Sequence, residues 1–163
     1  MTLARWLEKR AGRVVSVSVL AFLAAMEGFG GYAPTAGQAD EVMVIVNGDN
    51  TWMTSDVREI RTYWLKGRQE WPNGVRVSPA DRDGESVARK LFLAKVLGMS
   101  NDEVERYWIE KRYQAGVSPP RKAASDAQMI EFVGAVKGAV GFVDVRSLAG
   151  ITDRKVKVIA SYR

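Results

Sequence analysis

A cluster of charged residues around Ser86 has the composition of a helix start that could bind an anion. Ser86 follows Gly84 and Glu85, and its hydroxyl can cap a helix by accepting a hydrogen bond from a backbone N–H group. The other free N–H groups and the helix dipole make such a position mildly positive. Arg82 and Arg89 flank it, and a guanidinium offers a planar fork of donors that suits phosphate or carboxylate.

The predicted anion site comprises Arg82, Ser86, the backbone N–H groups of Val87 and Ala88, and Arg89. Arginine at position 82 is expected in an exposed loop before the helix. The alternative is an ordinary capped helix, because serine caps begin many helices that bind nothing. The carboxylate just before the serine favours that alternative, since it repels a second anion.

The chain contains no histidine and no cysteine. It therefore lacks the most common general base, a thiolate nucleophile and the softer metal ligands. Acidic residues alternate at Asp81, Asp83 and Glu85 as in a calcium loop, but the distal glutamate of an EF-hand is missing. We expect no enzymatic activity, no cofactor and no metal site.

Four tryptophans could form an aromatic platform for a sugar: Trp52, Trp64, Trp71 and Trp108. Trp64 and Trp108 lie on predicted helix faces beside aliphatic residues. Packing in the core is therefore the favoured role for these side chains.

The segment 1–39 has the pattern of an export signal. Basic residues precede the apolar run 14–26, and these thirteen residues are too few to span a bilayer core, which needs about 20. A small-x-small peptidase site ends at Ala39, so we expect a cleaved signal peptide and a mature domain of residues 40–163. An uncleaved anchor is the alternative, because residues 28–37 form a loose linker that could serve as a tether. Without a cysteine for lipid attachment, the prediction is a soluble periplasmic protein that meets the membrane only through its export signal.

Charge gives little support for nucleic-acid binding. Without the predicted signal, 20 Lys plus Arg face 17 Asp plus Glu, so the net charge of the mature chain is +3. These positive charges are scattered along the sequence and form no stripe on one face. A nucleic-acid partner is therefore not expected.

The hydrophobic pattern of the mature chain alternates between strands and helices. Short apolar or alternating runs predict strands, and serine caps followed by periodic apolar residues predict helices. The predicted strands are residues 41–47, 75–79, 139–143 and 156–159, and the predicted helices begin near Thr54, Ser86, Ser100 and Ser125. Strands separated by helices predict a single three-layer α/β domain with a mostly parallel sheet flanked by helices.

Over residues 42–159 the order of features resembles the phosphate-binding proteins of ABC importers, and specifically the short single-lobe members of that periplasmic binding protein superfamily. No single motif carries the resemblance, which rests on order and spacing. The matching pieces are residues 44–47, 56–60, 64–65, 71–74, Arg89 with Phe92, Tyr107 with Trp108, Pro119 with Pro120, and 138–143.

The resemblance implies phosphate as a ligand less securely than it implies the fold of one lobe. In the family, an arginine four residues before a Ser-Gly-Thr triplet binds phosphate together with the serine and threonine. Arg82 and Ser86 keep this spacing, but Val87 and Ala88 stand in place of the glycine and threonine. Both the close backbone approach and one hydroxyl are therefore lost.

Two functions from different classes follow. The first is a periplasmic solute-binding-like protein for phosphate or a similar oxyanion, bound weakly and related to ABC phosphate import, with an ABC permease or another envelope protein as a partner. The second is a degenerate lobe without ligand that acts as a partner-interaction or envelope module. Two-lobed members close around their anion, whereas an anion on one lobe stays solvated and is held weakly.

Overall fold

The computed structural model describes residues 40–65, 69–149 and 155–163. The predicted signal peptide, residues 1–39, lies outside the described residues and stays a prediction. The elements in chain order are β1 (Val42–Asn47), α1 (Val57–Leu65), β2 (Ser78–Arg82), α2 (Val87–Leu91), α3 (Asn101–Ala115), β3 (Arg121–Ala123), α4 (Asp126–Ala135), β4 (Ala139–Asp144) and β5 (Val156–Tyr162). Helix α2 continues directly into π-helical turns at Phe92–Leu97, and a 3₁₀ turn at Val145–Leu148 follows β4.

The described strands form one sheet in the order β3-β2-β4-β1-β5. Strands β3, β2 and β4 pair in parallel, whereas β1 is antiparallel to both β4 and β5. The predicted α/β domain is thus confirmed, and every described strand except β1 runs in one direction. The sheet is nevertheless mixed, because β1 runs antiparallel to both of its neighbours. β1 and β2 are consecutive along the chain, but β4 lies between them in the sheet.

The second strand lies three residues later than predicted. Residues 75–79 were expected to be extended, but the backbone folds back here, with the Trp71 N–H donating to the Val75 carbonyl at 2.8 Å. Gly138 faces this turn, and a Cβ on it would lie 1.8 Å from the Arg76 carbonyl oxygen. Because β2 therefore starts at Ser78, its last residue is the arginine that was expected in an exposed loop.

The sheet is covered on both faces, as its apolar central strands predict. Alternate residues of β1 enter two different core clusters: Val44 packs with the helices α1 and α2, and Ile45 packs with α4. We call these sides the α1–α3 face and the α4 face. Ala80 of β2 belongs to the α4 face, so the residues on either side of it in the strand point to the other face.

Aromatic side chains fill the α1–α3 face. Trp64 and Trp71 are each only 2% exposed, which confirms core packing for Trp64 and excludes both from a sugar-binding surface. Phe92 stacks on Phe142 with ring centroids 4.0 Å apart. Trp108 differs, because it is only partly buried and packs at the edge of this cluster.

The predicted helix caps are confirmed at three serines. Ser86, Ser100 and Ser125 each accept a hydrogen bond from the backbone N–H three residues later. Glu103 completes a capping box by accepting from the Ser100 N–H at 2.7 Å. The helices are therefore fixed at their starts by local sequence. Within the described part of the chain, no helix is long and apolar enough to cross a membrane.

Candidate functional site

The carboxyl ends of three parallel strands meet at one edge of the sheet. Strand β2 leads through a short turn to α2, β3 leads to α4, and β4 leads to the 3₁₀ turn. Each of these starts carries a polar cap, at Ser86, Ser125 and Asp144 respectively. In open α/β sheets ligands bind outside the carboxyl ends of the strands, so a binding site is expected at this edge.

Asp126, in the first turn of α4, connects all three strand ends. Its Oδ1 lies 3.0 Å from Nε of Arg82, at the end of β2. Its Oδ2 accepts from the Asp144 N–H at 3.0 Å and from the Ser147 hydroxyl at 2.6 Å. Arg82 also donates to the Ala123 carbonyl at 3.4 Å. Arg82 is therefore held between strands and faces an internal carboxylate.

Both partners in this ion pair are largely buried, with side chains 13% and 15% exposed for Arg82 and Asp126. The expectation of an exposed arginine in a loop was therefore wrong. The shift of β2 by three residues is the physical reason, because it makes position 82 a strand residue whose side chain points to the α4 face.

Arg89 lies on the opposite face of the sheet. Its Nε lies 3.3 Å from Oδ1 of Asp81, and its other nitrogens donate to Asp81 and to Asn101. Lys122 also contacts Asp81, with 2.5 Å between Nζ and Oδ2. The structure thus does not bring the two predicted arginines together, because one pairs on the α4 face and the other on the α1–α3 face.

The turn between β2 and α2 presents backbone donors. The Ser86 hydroxyl accepts from the Arg89 N–H at 3.1 Å, which leaves the two preceding N–H groups of the helix start. Within the described residues, the N–H groups of Val87 and Ala88 have no hydrogen-bond acceptor. Val87 is 43% exposed, whereas Ala88 is 3% exposed. An acceptor from outside can therefore reach the helix start at Val87, whereas Ala88 is covered by its neighbours.

Glu85 does not occupy these donors. It forms an ion pair with Lys90, 2.9 Å between the charged atoms, and this hydrogen bond and charge lower the pKa of the Glu85 carboxyl. Both side chains are mostly exposed. The carboxylate that was expected to compete with an anion is thus directed along the helix and away from its first N–H groups.

Asp81 and Asp126, the carboxylates that neutralise the arginines, were not predicted as partners from the sequence. Asp126 directly follows the Ser125 cap, so its place at a strand end could have been inferred once the strand before it was known. That strand, β3, has three residues and follows two prolines, and it carries no recognisable strand pattern.

The chemistry available at this edge is charge neutralisation and hydrogen bonding. Within the described residues, no group of three or more acidic side chains could hold a metal ion. The donors at this edge are Arg82, the Ser86 hydroxyl and backbone N–H groups, which are suited to an oxyanion. The carboxylates present are already engaged with cations or capping donors.

No protein-family profile matches the sequence, and no curated protein matches it. Several solved structures share its fold. They include an ABC-type phosphate transport receptor from Vibrio cholerae, with 20% identity and a TM-score of 0.56, covering 74% of this chain and 45% of that one. A protein from Clostridium perfringens, assigned as a phosphate ABC transporter substrate-binding protein and solved with bound phosphate, has 14% identity and a TM-score of 0.57 over 74% and 44% of the two chains. PstS from Borrelia burgdorferi has 10% identity and a TM-score of 0.57 over 74% and 47%.

These similarities confirm the predicted fold, which is that of one part of phosphate transport binding proteins. This chain spans less than half the length of each of them. Sequence identity of 10 to 20% shows a shared fold, and it does not show that this chain binds the same ligand.

Proposed function

We propose that this chain, which shares the fold of phosphate transport binding proteins, is itself a solute-binding-like protein that holds phosphate or a similar oxyanion. The anion lies at the carboxyl end of β2, on the hydroxyl of Ser86 and the N–H groups of Val87 and Ala88. Arg82 supplies the positive charge. Arg89 keeps the turn in place, because its N–H donates to Ser86 and its guanidinium is tied to the sheet.

One observation carries this proposal: at the Ser86-capped helix start, on the sheet edge where α/β folds bind ligands, two backbone N–H groups have no acceptor among the described residues. Asp126 sets the limit on affinity. An anion that uses Arg82 must share it with this carboxylate, so binding is weak unless a second protein encloses the site.

The proposal extends to export. The basic and apolar pattern of residues 1–39 supports a cleaved signal, a mature domain of residues 40–163 and a periplasmic location, where an ABC permease is the natural partner. Intact-mass measurement on periplasmic extract tests this. A mature chain starting at Asp40 is expected, and a full-length mass in the membrane fraction would contradict it.

A second function is favoured by one specific contact. The Arg82–Asp126 ion pair places an internal carboxylate where an external anion would otherwise meet the guanidinium. A lobe that neutralises its own arginine needs no ligand and is suited to act as a partner-interaction module of the envelope. Val87 and Ala88, which replace the small and hydroxyl-bearing residues of the family triplet, agree with this function.

Calorimetric titration of residues 40–163 with phosphate, sulfate and acetate at low salt separates the two functions. Oxyanion binding predicts saturable heat with phosphate in the millimolar range or tighter, and at least tenfold weaker binding for Arg82→Ala. Asp126→Asn removes the competing carboxylate charge, so it should strengthen phosphate binding. Arg58→Ala, which changes an arginine whose side chain is 87% exposed, is the matched control and should bind like the wild type.

The absence of heat with any anion, in the wild type and in Asp126→Asn, would support the partner module. Equal phosphate affinity in the wild type and Arg82→Ala would show that Arg82 does not contribute to the anion site. Melting curves give an independent readout, because a ligand that binds the native state raises the melting temperature. Phosphate should raise it for the wild type and hardly at all for Arg82→Ala.

A further inference from the structure

A separate cavity of about 320 Å³ lies on the α1–α3 face, bounded by α3, β2, β3 and the prolines before β3. Helix α3 forms one side of it, and Val104 is the one buried residue of this 15-residue helix. The cavity has the size of small-molecule sites, which begin at about 300 Å³. All of its lining residues lie within the described range 69–149.

The floor of the cavity carries an excess of positive charge. Asp81 faces both Arg89 and Lys122, so one carboxylate meets two cations. Asp81 and Arg89 are 7% and 6% exposed, whereas the Lys122 side chain is 49% exposed and reaches the opening. The single Asp81 carboxylate offsets only one of these two positive charges, so this floor can accept a further anionic group.

The walls are apolar and flat. Trp108, Ile109, Pro119 and Pro120 line them, and Ile109 is 57% exposed although it is a large aliphatic side chain. Inorganic phosphate would leave this apolar surface in water. A ligand with an apolar body would cover it, and an aromatic ring could pack against the indole and the prolines.

Two charged side chains stand at the rim. Arg112 is exposed and adds a second cation near the opening. Glu105 is also exposed and accepts a hydrogen bond from Asn101 Nδ2 at 3.0 Å. Across Asp81, Arg89, Lys122 and this rim pair, the cations outnumber the carboxylates by one.

We infer that this cavity binds a small carboxylate with a flat apolar body, such as an arylacetate. The carboxylate contacts Lys122 and Arg112, and the apolar body lies against Trp108 and the two prolines. The Arg82–Asp126 pair of the proposed oxyanion site lies on the opposite face of the sheet. Arg89 is common to both places, because its N–H donates to Ser86 and its guanidinium lies in the floor of this cavity.

Titration of the purified full chain with phenylacetate tests the inference. Saturable binding is expected below about 10 mM. Two probes divide the ligand into its parts: 2-phenylethanol keeps the ring without the charge, and acetate keeps the charge without the ring. Each should bind at least tenfold more weakly than phenylacetate. No saturation with phenylacetate, or equal binding of 2-phenylethanol, would overturn the inference.

Charge variants locate the site. Lys122→Gln and Arg112→Gln should each weaken phenylacetate binding about tenfold, and Glu105→Gln should strengthen it. Lys90→Gln is the matched control, because Lys90 is also an ion-paired lysine but lies outside this cavity. Lys122 and Arg112 are solvent-accessible, so the variants should fold, which unchanged far-UV circular dichroism would verify. Wild-type affinity in both Lys122→Gln and Arg112→Gln would contradict the inference.

Arg82→Ala separates this site from the proposed function. It should leave phenylacetate binding unchanged, whatever it does to phosphate. Competition adds a second check, since phosphate should not displace phenylacetate. Mutual displacement, with both affinities reduced by Arg82→Ala, would place the two anions in one site and reject the inference.

Discussion

Two arginine–aspartate pairs in this domain have the same residue types but lie in different surroundings. Arg82 and Asp126 join the ends of strands at the sheet edge, and the carboxylate also accepts two hydrogen bonds from other groups. Arg89 and Asp81 lie deeper, where a lysine is the other cation on the same carboxylate. The loss of stability on removing one partner of an ion pair depends on the contacts that the other partner keeps.

The largest loss of stability is expected when the carboxylate of the deeper pair, Arg89 with Asp81, is removed. Asp81→Ala leaves a guanidinium only 8% exposed without its carboxylate, and unpaired buried charges cost about 3–5 kcal/mol. Urea unfolding at neutral pH measures this loss. Asp83→Ala is the control, because Asp83 is exposed two residues further on. Equal stability of the two variants would show that removing the buried carboxylate of Asp81 costs no more than removing the exposed carboxylate of Asp83.

The next effect is at the strand-end pair. Arg82→Ala leaves Asp126 with two donors still in place, so we expect a smaller loss of about 1–2 kcal/mol in the free energy of unfolding. A double-mutant cycle with Asp126→Asn isolates the coupling between the two side chains. A coupling free energy of zero would show that the interaction between these two side chains adds nothing to the stability of the domain.

The helix start between the two arginines gives a third, smaller effect. Ser86→Ala removes the cap that accepts from the Arg89 N–H and should cost about 1 kcal/mol by urea unfolding. Ser161→Ala, at an exposed strand position without a capping role, is the control and should leave stability unchanged. A loss as large as that for Asp81→Ala would show that the serine also positions the deeper pair.

The smallest effect is expected at a third pair of the same type, Asp144 with Arg146. Hydrogen bonding to Arg146 lowers the pKa of the Asp144 carboxyl below its ordinary value of 3.8. Its contribution to stability is therefore present above that value and is lost as pH falls through the lower folded-state pKa. Arg146→Ala should slightly reduce the urea midpoint at pH 7 and hardly change it once the carboxyl is protonated in strong acid. The same reduction at both pH values would contradict this electrostatic origin.

Local sequence determined much of the fold. The serine caps and the apolar runs of β1 and β4 were predicted because their signals lie within a few residues of one another. The direction of the strands could not be predicted from the sequence, because β1 pairs with strands far along the chain and no local pattern encodes whether that pairing is parallel or antiparallel. Strand β2 was displaced because its alternating valines belong to a turn that Trp71 and Gly138 fix from outside.

The candidate site was predictable only in part. Ser86 was recognised as a cap because capping depends on nearby residues. The partners of the arginines were not, because Asp126 comes from a different helix and Asp81 from a strand that was placed three residues too early. A correct register for β2 would have shown that neighbouring strand residues 81 and 82 face opposite sides of the sheet.

The interior position of β1, between β4 and β5, has a consequence for how the chain folds. Val44 pairs with Phe142 on one side and with Ala160 on the other, so both neighbours of this strand lie beyond most of the domain. The average sequence separation of its contacts is therefore large, and chains with high contact order fold slowly. We therefore expect β1 to stay unpaired during synthesis until β4 and β5 have been made.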